Sequence, residues 1–133
     1  MKKSLFASSC FAVATVGVMY FAAPAMANTG EFHHLVISGT QSANTSYVLK
    51  NTDNQNGTVY ISGTTAGDAN MWAQMYNSEK VPRSDTVFVT YRSITPITNN
   101  VGLANYAYYL NCRRQYWWDS PQTFDGWWSP DQV

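Results

Sequence analysis

From residue 28 onward no segment of the chain sustains a 3.6-residue apolar pattern, and the apolar residues recur with period two instead. That restricts the fold to antiparallel β-structure. The clearest alternation is Asn105–Arg113, which sets Tyr106, Tyr108, Leu110 and Cys112 on one face. Asn105, Ala107, Tyr109, Asn111 and Arg113 fall on the other. Thr86–Arg92 divides likewise into Val87, Val89 and Tyr91 against Thr86, Phe88 and Thr90. Further strands are predicted at Leu35–Ile37, Ser46–Lys50, Thr58–Ser62 and Phe124–Trp128, while Asn70–Tyr76 fits helix or strand and is read as a strand because it is short and lies between Gly67-Asp68 and Asn77-Ser78. Asn56-Gly57 carries the turn chemistry of a two-residue hairpin, so the strands on either side of it are expected to pair. Turn signals at Gly39, Gly63, Gly67-Asp68, Pro82, Pro96, Asn99-Asn100 and Pro121 space the strands as in a β-sandwich. The expected fold is all-β: a single antiparallel β-sandwich of about six to eight strands.

The segment before it has a different character. Lys2 and Lys3 precede an uncharged stretch, Leu5–Ala23, and Ala25-Met26-Ala27 places small residues where a signal peptidase needs them. The stretch approaches the roughly 20 residues of a membrane span. It is nonetheless rich in Ala, Ser, Thr and Gly and is followed by Pro24 rather than a basic stop-transfer cluster, which favours a cleaved signal peptide over residues 1–27. Residues 28–133 then form the β-sandwich domain, secreted and without a stable membrane anchor after cleavage. Cys10 is discarded with the signal.

Cleavage would leave six Lys/Arg against eight Asp/Glu, because Lys2 and Lys3 are lost. A net charge of −2 offers no basic stripe for nucleic acid or an anionic membrane. Cys112 would be the sole thiol, which removes any internal disulfide framework. Its strand face is apolar and favours a buried thiol. An intermolecular disulfide and a nucleophile are the alternatives, the latter lacking a base because the only histidines are His33 and His34.

The C-terminal segment Tyr116–Trp128 holds four of the five tryptophans. Adjacent residues of a strand face opposite ways. One member each of Trp117/Trp118 and Trp127/Trp128 is therefore expected to point outward, unless both pairs are buried beneath sheets or loops. With Tyr109, Arg113 and Arg114, the four tryptophans form a candidate contact surface suited to sugar rings or to a protein. The partner expected on these residues is a cell-surface component or another protein.

No catalytic constellation accompanies them. Asp119, Asp125 and Asp131 are spaced by six and invite a glycosidase reading, but they sit in turn contexts. His33-His34 would project to opposite sides of a strand and cannot chelate one ion together. No phosphate-binding, zinc, calcium or serine-hydrolase motif is present, so no metal, cofactor or enzymatic activity is expected.

The ending Gly126-Trp127-Trp128-Ser129-Pro130-Asp131, preceded by a Tyr-rich strand that closes on Asn111-Cys112-Arg113-Arg114, resembles that of small exported all-β proteins of Gram-positive bacteria. A more distant likeness, through Tyr108-Tyr109 and Trp127-Trp128, is to bacteriocins of the lactococcin 972 type. The resemblance implies a secreted, non-enzymatic protein acting by surface contact, bacteriocin-like and antagonistic. A carbohydrate or cell-wall binding module using the aromatic C-terminal surface is the alternative.

Overall fold

The computed structural model describes residues 28–65 and 70–133, so the expected signal peptide over 1–27, Cys10 and the turn expected at Gly67-Asp68 lie outside it. Among the described residues there are nine strands and no helix. They are β1 (Gly30–Ile37), β2 (Ala43–Asn44), β3 (Val48–Leu49), β4 (Gly57–Thr64), β5 (Met71–Asn77), β6 (Val87–Val89), β7 (Thr95–Ile97), β8 (Ala107–Arg114) and β9 (Gln122–Ser129). Two antiparallel sheets pack face to face as a β-sandwich. One runs β1-β9-β4-β7; the other runs β8-β5-β6, with the short β2 and β3 both paired to the free side of β8.

The core lies between the sheets and is filled by the inward members of each alternation. Val59 and Ile61 come from β4, Met71, Ala73 and Met75 from β5, Tyr108, Leu110 and Cys112 from β8, and Phe124 and Trp128 from β9. Full burial of each large apolar side chain contributes about 1.5–3 kcal/mol. Val89 is buried while Phe88 faces outward edge-on to Trp72, as the alternation requires. Tyr106 departs from its expected strand face: β8 begins one residue later, and the ring is exposed.

The hairpin expected at Asn56-Gly57 does not form. Val48–Leu49 pairs with β8 in one sheet, whereas Gly57–Thr64 pairs with β9 and β7 in the other. Residues 51–56 therefore cross between the sheets, guided by Asn54 at φ 53° and by its N–H donating to the Gly102 carbonyl. Gly57 serves close approach rather than a turn, since a Cβ there would lie 2.6 Å from the Ser129 carbonyl oxygen.

His33 and His34 form a bulge instead of alternating. Phe124 pairs with Leu35 and Gly126 with Phe32, so the two histidines oppose Asp125 alone. His34 takes φ 53°, donates its N–H to Asp125 Oδ1 at 2.7 Å, and both imidazoles are exposed. A second irregularity against β4 falls beside Gly126, where a Cβ would run into the Tyr60 carbonyl oxygen and the Phe32 ring.

Candidate functional site

The two sheets are joined at one end of the sandwich by residues 115–121, and this connection holds Trp117 and Trp118. They do not lie on a strand, so the expected opposition of this pair fails. Both are exposed, 71% and 62%. Tyr116 stacks on Trp118 with ring centroids 4.6 Å apart and planes within 5°, and Trp117 meets Trp118 edge-on at 5.6 Å.

Hydrogen bonds fix this aromatic tip. Asp119 Oδ2 accepts the Tyr116 N–H at 2.8 Å, while the Asp119 N–H donates to the Tyr116 carbonyl at 3.1 Å and closes a turn around the tryptophans. From beneath, Arg114 donates to the Ser120 carbonyl at 2.6 Å, lies 3.8 Å from the Asp119 carboxylate and places its guanidinium over the Phe124 ring. Gly39 lets the neighbouring strand end pass close to the loop, since a Cβ there would strike the carbonyl oxygens of Trp117 and Asp119. The tip is thus a constrained projection.

The remaining candidate residues are dispersed. Trp127 and Trp128 do alternate: Trp128 is in the core, and Trp127 faces outward on the four-stranded sheet, stacked on Tyr60 at 5.8 Å. Arg113 and Arg114 also diverge, the first exposed on the outer face of the five-stranded sheet, the second turned under the tip. Tyr109 lies on that same outer face but is buried between Tyr47, edge-on at 5.3 Å, and Tyr76, stacked at 5.7 Å. The seven residues therefore do not make one surface. Trp117 and Trp118 share the tip with Arg114 as its support, and Trp128 is unavailable to any partner.

At the opposite end of the sandwich Pro130 and Asp131 fold inward as a polar lock that sequence reasoning missed. Lys50 is fully buried, and its Nζ donates to the carbonyls of Pro130 and Gln55 and lies 3.4 Å from Asp131 Oδ1. Asp131, 1% exposed, accepts the N–H groups of Asn51 and Thr52 and the Thr52 hydroxyl at 2.7 Å. Asn100 Nδ2 donates to the same Pro130 carbonyl at 2.9 Å. Burial alone would raise the Asp131 carboxyl; the Thr52 hydroxyl, the Asn51 and Thr52 amides and the Lys50 charge outweigh it and hold it below the ordinary carboxylate value. Burial lowers the Lys50 ammonium, against the opposing pull of Asp131 and Asp53. A signal was available: alternation through Tyr47-Val48-Leu49-Lys50 puts Lys50 on the same face as the buried Val48.

Each of the three evenly spaced aspartates holds backbone N–H groups: Asp119 that of Tyr116, Asp125 that of His34, Asp131 those of Asn51 and Thr52. Burial pushes the Cys112 thiol up to about 12, which disfavours the thiolate that a nucleophile needs at neutral pH. Among the described residues no three His, Cys, Asp or Glu side chains converge as metal ligands. No family model, no characterised protein and no solved structure matches this chain.

Proposed function

We propose that this chain is a secreted, non-enzymatic protein that acts by contact, and that the Tyr116–Trp118 tip is the element that meets the target. The observation that carries the reading is the exposure of two adjacent tryptophans on a loop fixed by Asp119 and Arg114. Indole is the side chain most enriched at the energetic centres of interfaces, and a constrained loop loses little entropy on docking. The partner is a cell-surface component or another protein, and the contact is antagonistic in the manner of a bacteriocin. The engagement of all three aspartates with backbone amides and the unreactive setting of Cys112 support a role without catalysis.

Secretion rests on the signal-like residues 1–27. N-terminal sequencing of protein recovered from culture medium should begin at Asn28, and retention of Lys2 and Lys3 in a membrane fraction would refute it. The contact reading is tested with the purified protein applied to intact Gram-positive cells, scoring both binding and growth inhibition. Trp117→Ala and Trp118→Ala should each remain folded and lose cell binding. Undiminished binding by both variants removes the tip from the mechanism.

A further inference from the structure

The outer face of the five-stranded sheet belongs to neither the tip nor the core, and its residues fall into three rows set by the strand register. Phe88, Trp72 and Arg113 form the first row, from the pairings Trp72↔Phe88 and Trp72↔Arg113. Gln74, Asn111 and Asn44 form the second. Tyr76 and Tyr109, flanked by Tyr47, form the third. Two aromatic rows thus bracket a row of amides. Four residues of β5 separate Trp72 from Tyr76, about 13 Å at ~3.3 Å per residue.

The amide row is ordered in advance. Asn111 Nδ2 donates to Asn44 Oδ1 at 2.7 Å and to Ser42 Oγ at 3.0 Å, while Gln74 Nε2 donates to the Ser84 carbonyl and its Oε1 accepts the Tyr76 hydroxyl. These bonds use the amide N–H groups and fix the planes of the side chains. Arg113 is the single full charge in the three rows.

The third row leads into a cleft. Ala107 follows Tyr109 on the same face of β8, and it lines a cavity of about 450 Å³ together with Asn77, Glu79, Arg83, Leu103 and Tyr106. That volume is of the size that holds a small ligand or one end of a longer one. Apolar side chains supply part of the wall, and Glu79, Arg83 and Asn77 supply both hydrogen-bond donors and acceptors.

We propose that this face is a binding site for an extended, uncharged glycan, which lies along β8 and places its terminal sugar in the cleft. A pyranose chain presents apolar C–H faces and a rim of hydroxyls, which the partly exposed Trp72, Phe88 and Tyr76 and the exposed Tyr47 complement around the amide row, Tyr109 serving as the buried support between Tyr47 and Tyr76. The charge pattern selects within that class: Arg113 in the rows and Arg83 beside Glu79 in the cleft are too few cations to hold a polyanion, and the Glu79 carboxylate disfavours an acidic sugar there. The cleft and the tyrosine row lie at the end of β8 away from the tip, and no residue of the Tyr116–Trp118 turn belongs to the three rows, so the site's success or failure is separable from the contact function proposed above.

The full chain is applied to an array of immobilised linear oligosaccharides comprising β-glucans, xylans, mannans and N-acetylglucosamine oligomers beside uronic-acid and phosphate-bearing counterparts. Binding is expected to at least one uncharged glycan of four or more units. Tyr47→Ala, at a position 54% exposed, and Arg83→Ala should each weaken it by about tenfold, while Tyr47→Phe retains it. Trp117→Ala should leave it unchanged. Binding to no uncharged glycan, binding confined to acidic ones, or binding abolished by Trp117→Ala but not by Tyr47→Ala would each overturn the assignment.

Discussion

The two ends of the sandwich use the same chemistry to opposite effect. At the tip, Asp119 accepts a backbone N–H and faces a cation, Arg114, and the result is two tryptophans held out in solvent. At the lock, Asp131 accepts backbone N–H groups and faces a cation, Lys50, and the result is a charge pair sealed from water beside the buried Trp128. The lock is the more deeply buried of the two, and its aspartate accepts more hydrogen bonds. An aspartate that orders a surface turn contributes little to global stability, whereas an aspartate that neutralises a buried ammonium cannot be removed without leaving that charge stranded. The comparison separates display from stability within one stretch of chain, residues 116–131.

The sharpest way to break the comparison is to delete the two carboxylates. Asp131→Ala should destabilise the fold by about 3–5 kcal/mol in urea unfolding, because Lys50 loses its counter-charge in the interior. Asp119→Ala should stay within about 1 kcal/mol. Equal losses would mean that the tip is part of the folding core.

The tryptophans give a contrast of nearly the same size. Trp128→Ala should remove about 3–5 kcal/mol, as for other aromatic truncations in a core. Trp117→Ala should change stability by no more than about 0.5 kcal/mol. Thermal melts of the two variants decide it.

Acid titration sharpens the lock. The Asp131 carboxyl titrates lower in the folded chain than its unfolded value of about 3.9, so its contribution is complete above that value. It is then lost as pH falls through the depressed folded value. The deficit of Asp131→Asn relative to the parent, measured by urea midpoints, should be constant at neutral pH and shrink below about pH 4. A deficit that persists undiminished at the acid limit would show that the Asp131 charge is not what the lock uses.

A smaller contrast is expected at Cys112, in the core between the two sheets. Its thiol should resist a water-soluble disulfide reagent at pH 8 until the protein is unfolded, because burial holds it protonated with a value of about 12. Cys112→Ala should cost about 1 kcal/mol.

The strands were legible where one face is buried and the other wet, since period two then leaves a signature in residue types, as in β8; the residues of β5 fit helix or strand alike, and only their short run between turn signals marks a strand. β2 and β7, two and three residues long, are too short to carry a period, and Pro96 in β7 reads as a turn residue although it sits on an edge strand. The Asn56-Gly57 signal misled because turn chemistry reports local backbone freedom, while the need for glycine there came from a strand distant in sequence. The same distinction governs the tryptophans. Trp127/Trp128 follow strand alternation, whereas the opposition expected of Trp117/Trp118 fails because Arg114, Ser120 and Asp119 hold that segment as a turn by contacts no periodicity encodes. The glycan-suited face was half visible, as Tyr109, Asn111 and Arg113 on one side of β8, but its other rows come from strands whose neighbours only the topology supplies.

Asn28 donates through its side chain to the Leu49 carbonyl and accepts at its own carbonyl from Ser129, so the start of the described chain and its last residues meet at the lock. Along β9 that end is about 23 Å from the tip, at ~3.3 Å per residue. Coupling the protein to a bead or a sensor chip through residues beside Asn28 or Asp131 therefore turns the tryptophans away from the support. An array of molecules fixed in this way would present a lawn of indoles, and its avidity for a repetitive surface would depend on spacing between anchors.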